Sequence, residues 1–189
     1  TYEAGSGQTF AVVENGLAVA SSTGIQLFDE AGQSVVRKIF AMTTPAVAAG
    51  GSRAAFFDVG GTALRVADLD GSYTVLDTEH AILSVTVSEE GYLAVCTEET
   101  GYKGLVTIYD SDFSPVYRWY SGEGYLLKAA MSPDHSGFAA LTLAASGGRI
   151  QFFSLREEMP VSQYEAADTL LLDFAWCGGS RVCAISSQA

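Results

Sequence analysis

The chain has 189 residues, 48% of them apolar, with 20 glycines and 4 prolines, as expected of a core-forming domain rich in turns. Its 22 acidic residues outnumber 10 basic ones, for a formal net charge of −12. With no basic stripe to neutralise phosphates, nucleic acid is excluded as an expected partner, and direct adsorption to anionic lipid is disfavoured.

In chain order, residues 1–8 are small and polar and read as a frayed lead-in. A first four-strand unit is expected over about 9–40. It starts near Phe10-Ala11-Val12-Val13 and continues through Gly16-Leu17-Ala18-Val19 and Ile25-Gln26-Leu27-Phe28-Asp29. A second, over 45–77, repeats the order with Pro45-Ala46-Val47-Ala48, Arg53-Ala54-Ala55-Phe56 and Leu64-Arg65-Val66-Ala67-Asp68.

The third unit, 81–120, is the clearest copy. Its strands are expected at 82–88, 92–97, 105–110 and 116–120. The fourth, 125–165, carries Leu126-Leu127-Lys128-Ala129-Ala130-Met131-Ser132, then Phe138-Ala139-Ala140-Leu141 and Ile150-Gln151-Phe152-Phe153-Ser154. Residues 170–187 supply only two more strands, Leu171-Leu172-Asp173-Phe174-Ala175-Trp176 and Arg181-Val182-Cys183-Ala184. The equivalent positions Ser88, Ser132 and Cys177 lie 44 and 45 residues apart, and three strand types recur in one order. A helix over 165–176 is the competing reading on propensity, and the alignment of 171–177 with 82–88 decides for strand.

These observations predict an all-β fold: a partial β-propeller of four-stranded blades, four of them plus two strands of a fifth. Strands apolar on both faces, such as Leu105-Val106-Thr107-Ile108-Tyr109, fit sheets sandwiched between neighbours. No linker or composition break divides the units, so 1–189 reads as one propeller segment. The missing half-blade implies an open arc or part of a longer propeller, with apolar end faces covered by self-association or by missing blades.

The turn Met131-Ser132-Pro133-Asp134-His135-Ser136-Gly137 resembles the Ser-Pro-Asp-Gly turn of WD40-like and quinoprotein-like propellers, and Ser88-Glu89-Glu90-Gly91 is a variant of it. With Gly24-Ile25-Gln26-Leu27-Phe28-Asp29-Glu30-Ala31-Gly32 and residues 125–141, the cadence is similar to that of a bacterial family of uncharacterised membrane-anchored β-propeller proteins. The resemblance implies a propeller and an extracytoplasmic domain behind an N-terminal anchor, with a cytoplasmic placement as the alternative. It supplies no catalytic residue. The Trp-Asp ending of WD40 blades is missing, no run of 18 apolar residues spans a membrane, and no signal peptide is visible.

Strand direction puts the loops between second and third strands on the same face as the loops between blades. That face collects Asp58, Asp77, Glu79, His80, Glu98, Glu99, Tyr102, Lys103, Tyr120, Glu123, Glu165 and Asp168. The ligand- or partner-binding candidates are Glu79, His80, Glu98, Glu99, Tyr102, Lys103, Tyr120 and Glu123, because loops on a rigid scaffold are where such folds bind. The bland alternative is a solvated acidic surface that maintains solubility.

His80, flanked by Asp77 and Glu79, is a solvated loop histidine or a ligand and base; His135 belongs to a turn on the other face. Asp68-Leu69-Asp70-Gly71 and Asp110-Ser111-Asp112 resemble short calcium loops, but turn chemistry accounts for them. Tyr117, Trp119 and Tyr120 read as packing against the neighbouring blade rather than as a ligand platform. Cys96, Cys177 and Cys183 read as buried thiols, with a 177–183 bridge or metal binding as lesser alternatives.

The expected function is a non-catalytic binding or scaffolding propeller with no cofactor and no metal, its protein or small-molecule ligand unidentified. The alternatives are a propeller hydrolase or lyase with a site in the central channel, and a purely structural module.

Overall fold

The computed structural model of the chain describes residues 7–187, so most of the lead-in expected at 1–8 lies outside the described residues. The fold is a partial β-propeller built of four-stranded antiparallel blades. The first sheet holds β1 (Thr9–Val13), β2 (Gly16–Ser21), β3 (Gly24–Phe28) and β4 (Ser34–Ile39), in that order. The second holds β5 (Pro45–Gly50), β6 (Arg53–Asp58), β7 (Ala63–Asp68) and β8 (Tyr73–Asp77).

The third sheet holds β9 (Ile82–Val87), β10 (Leu93–Thr97), β11 (Leu105–Tyr109) and β12 (Pro115–Tyr120). The fourth holds β13 (Tyr125–Met131), β14 (Gly137–Ala144), β15 (Gly147–Ser154) and β16 (Ser162–Ala167). A two-stranded sheet of β17 (Leu171–Trp176) and β18 (Val182–Ser186) follows. The stretch that could have been helical is β16 and β17, divided by a turn at Asp168, where φ is +54°. Among the described residues no helix is long and apolar enough to cross a membrane.

The chain divides into two compact units, 1–91 and 92–189. In the first, β1 and β5 pack against one another through small side chains, and Ala18, Ala20, Ala54 and Ala67 fill the core beside Phe56 and Leu27. Alanine is used there because neighbouring sheets that approach closely leave no room for longer side chains near the contact. The inner strands are buried on both faces, whereas β4 on the outside of its sheet is mostly exposed.

The second unit repeats the arrangement. Leu141, Ile150, Leu171 and Phe174 form a core completed by Phe152 and Trp176. β10 and β11 are buried along nearly their whole length, and the outer strands β12 and β16 are largely exposed. Tyr117 and Trp119 pack as expected on the neighbouring sheet. The Trp119 ring centre lies 4.8 Å from that of Phe153, which itself stacks on Phe138 at 4.5 Å, and Tyr117 meets Phe138 edge-on at 5.3 Å.

The aspartates that end the third strands perform one repeated job. Asp29, Asp68 and Asp110 each open a five-residue turn in which the aspartate N–H donates to the carbonyl four residues on: Gln33 at 3.0 Å, Ser72 at 3.1 Å and Ser114 at 3.0 Å. In the first and third copies an Oδ1 also accepts the amide of that residue, at 2.8 Å. The fourth turn position is left-handed in all three: Gly32 (φ +72°), Gly71 (φ +91°) and Phe113 (φ +66°). Two copies use the residue that adopts this conformation without a Cβ penalty, and the third tolerates a phenylalanine there. The carboxylates of Asp70 and Asp110 accept nearby amides in the same turns, which is the turn chemistry expected of these clusters.

One expectation is corrected. Cys96 is buried in β10, but Cys177 and Cys183 are exposed, and none of the three is in a disulfide. Their place in or beside expected strands suggested burial. Burial, however, requires a sheet on the other side, and β17–β18 shows solvent on that face, with Ile185 61% exposed.

Candidate functional site

In the first unit the acidic loop residues serve the backbone. Asp58 accepts the amide of Thr43 at 2.8 Å through Oδ2 and that of Thr44 through Oδ1, which pins the loop from β4 to β5 against the end of β6. Asp77 Oδ1 accepts the amide of Glu79 at 3.0 Å, and Glu79 sits at φ +64° with its side chain exposed. The His80 carbonyl accepts the Thr78 hydroxyl at 2.7 Å, and its side chain is half-buried. Asp77, Glu79 and His80 therefore form one tight turn.

The second unit gathers its candidates more closely. The loop 97–104 is held to the loop after β12 by backbone bonds: Lys103 N to Ser121 O at 2.7 Å, Ser121 N to Gly104 O at 2.9 Å and Leu126 N to Lys103 O at 3.1 Å. That register brings the rings of Tyr102 and Tyr120 to 4.9 Å. It also sets the Lys103 ammonium 4.6 Å over the Tyr125 ring, a cation–π contact. Glu98 is exposed, and Glu99 Oε1 accepts the Thr100 amide at 3.0 Å.

Glu123 meets a residue absent from the candidates read from sequence, Arg149 on β15. Its Nη1 lies 3.1 Å from Glu123 Oε2 and its Nη2 lies 2.6 Å from Glu165 Oε1. Arg149 and Glu165 face one another directly in the β15–β16 register, and Gln151 and Gln163 pair next along the same face. The Arg149 side chain is 20% exposed, and its buried Nε–H finds no acceptor among the described residues. Leaving such a donor unmet costs about 1–3 kcal/mol.

This polar ladder borders a cavity of about 390 Å³ that Trp119, Tyr120 and Met159 also line. The face of Trp119 turned to Phe153 is apolar core; Arg149, Gln151, Glu123 and Gln163 supply the polar lining. The arrangement offers amide, hydroxyl and guanidinium groups beside an aromatic wall, a combination that orients a ligand by hydrogen bonds while the rings take up its apolar surface.

A signal for Arg149 does exist in the sequence. Aligned third strands place Gly24, Ala63 and Leu105 where the fourth blade has Arg149. A charged residue at a position otherwise small or apolar marks a departure from plain blade packing.

A family model described as "Family of unknown function (DUF5711)" matches residues 1–189. No curated protein sequence matches the chain. Among solved structures, the chain is similar to the β-propeller domain of Cps50 (Swd1) from Myceliophteria thermophila. The TM-score is 0.72 at 10% identity, over 97% of this chain and 64% of that one. It is similar to Kluyveromyces lactis Hsv2p, with a TM-score of 0.69 at 11% identity over 94% and 63%. It is also similar to Kuenenia stuttgartiensis hydrazine synthase, with a TM-score of 0.70 at 12% identity over 91% and 52%. The chain thus spans between half and two-thirds of these proteins' length, and at such identities the likeness establishes the fold.

Proposed function

The chain belongs to DUF5711, and on that footing we propose that it is a non-catalytic binding domain that takes its ligand in the cavity lined by Trp119 and the Arg149 ladder. The observation that carries this reading is Arg149. Two of its nitrogens are committed to Glu123 and Glu165, and the third is buried without an acceptor among the described residues, in a side chain that lines an open, mixed-polarity cavity. Beside it, the Gln151 and Gln163 side-chain amides line the cavity and can both donate to and accept from a bound ligand. Because both carboxylates are paired, the lining favours a neutral, hydrogen-bonding ligand over a free anion or cation. Tyr102, Lys103 and Tyr120 extend the same rim.

The reading is tested on isotopically labelled protein, titrated with neutral disaccharides and with short uncharged peptides. Binding should shift the Trp119 indole, the Arg149 Nε–H and the Gln151 and Gln163 side-chain amides together. Shifts that avoid this set, or none from either class, would reject it.

The reading includes self-association through the terminal sheets. Phe10 is 54% and Val12 72% exposed on β1, beside a groove of about 370 Å³ that also includes Leu17 and Phe28. Contiguous apolar surface of this kind favours burial against another copy of the chain.

A further inference from the structure

The β17–β18 hairpin carries two thiols on one face. Trp176 pairs with Val182 and Ala175 with Cys183, and the Cys177 amide donates to the Arg181 carbonyl at 2.8 Å, which continues the register by one step. Since side chains alternate along a strand, Ala175, Cys177, Arg181 and Cys183 share a face, and Cys177 and Cys183 are diagonal neighbours across the strand pair. Both are exposed, unlike Cys96.

Cys177 Sγ donates to the Ala175 carbonyl at 3.7 Å on this face, and the neighbouring Cys177 side chain together with local desolvation pushes the Cys183 thiol above its ordinary value. The intervening turn is open. A Cβ built on Gly178 or Gly179 would meet nothing within 4 Å, so the backbone has room to shift as the sulfurs approach.

Among the described residues this sheet has two strands, β17 packing on β14 and β15 and β18 pairing with β17. A covalent link between its strands would hold the edge in register.

We propose that Cys177 and Cys183 form a reversible intrachain disulfide that closes the β17–β18 hairpin, making it a thiol–disulfide exchange site for a low-molecular-weight disulfide such as glutathione disulfide. The Cys177 thiolate attacks one sulfur of glutathione disulfide, breaking its S–S bond and releasing one glutathione thiolate. The Cys183 thiol gives up its proton to solvent and attacks Cys177 Sγ in the mixed disulfide, expelling the second glutathione. Two protein thiols are oxidised, and one glutathione disulfide is reduced to two glutathiones. The raised Cys183 value fits it to the second step, where attack is intramolecular.

The full chain is incubated with glutathione disulfide, quenched in acid, alkylated under denaturing conditions and digested with trypsin. Cleavage after Arg156 and Arg181 separates the two cysteines, so a bridge appears as peptides 157–181 and 182–189 linked together. The expected result is that linked pair, an intact mass lower by two hydrogens, and Cys96 alkylated. Cys177→Ser and Cys183→Ser should each retain one glutathione on the remaining thiol instead of resolving it. Stable glutathione adducts on both cysteines of the wild type, disulfide-linked dimers, or two thiols that stay alkylatable would each overturn the proposal.

Discussion

Arg53 offers the sharpest test of how the first unit is held together. Its Nε and Nη2 grip Asp68 at 2.8 and 2.9 Å, and Nη1 donates to the Gly91 carbonyl at 2.8 Å. One side chain thus ties the start of β6 to the end of β7 and to the turn that follows β9. The fit extends to Gly91, whose φ is +82° and whose missing Cβ would stand 3.0 Å from Nη1. The paired side chains are 13% and 18% exposed.

Breaking a fully buried ion pair costs about 3–5 kcal/mol, because the surviving charge is left unmet. Asp68 keeps some access to water, so Arg53→Met should cost less, about 2–3 kcal/mol. Arg53→Met with Asp68→Leu should recover part of this, because no charge remains stranded. The assay is urea unfolding followed by far-ultraviolet circular dichroism and, in parallel, by tryptophan fluorescence. Trp119 and Trp176 both belong to the second unit, so fluorescence reports on that unit alone. The expected result is a lowered dichroism midpoint for Arg53→Met. A loss under about 0.5 kcal/mol, the level of an ordinary exposed substitution, would refute the argument that this clamp organises the unit.

Asp134 accepts the Ser132 hydroxyl, the Ser136 amide and the Ser136 hydroxyl, which together hold its carboxyl down to about 2. Its stabilising contribution is complete above the unfolded value and is lost as pH falls from about 4 towards 2; carbon NMR titration should find the low value, and Ser136→Ala should raise it. Glu98→Gln with Glu99→Gln should leave stability within about 0.5 kcal/mol by thermal melting, and a larger drop would show that the 97–104 loop carries structural weight. Light scattering should show mass rising with protein concentration, and Val12→Lys should abolish the rise; a concentration-independent monomer would remove self-association from the reading.

Three strand types recurring in one order determined the fold class, because short runs apolar on both faces and the turn chemistry of Asp29, Asp68 and Asp110 are local properties written into each repeat. They place the strands whatever surrounds them. The same locality explains what stayed hidden. Glu123 lies 26 residues before Arg149, and only the pairing of β15 with β16 and the packing of the neighbouring loop bring Arg149 to both Glu123 and Glu165. Likewise, an apolar strand reads alike whether or not another sheet covers it, so solvent reaching Cys177 and Cys183 was a matter for tertiary structure to decide. Burial is a property of the neighbour as much as of the residue.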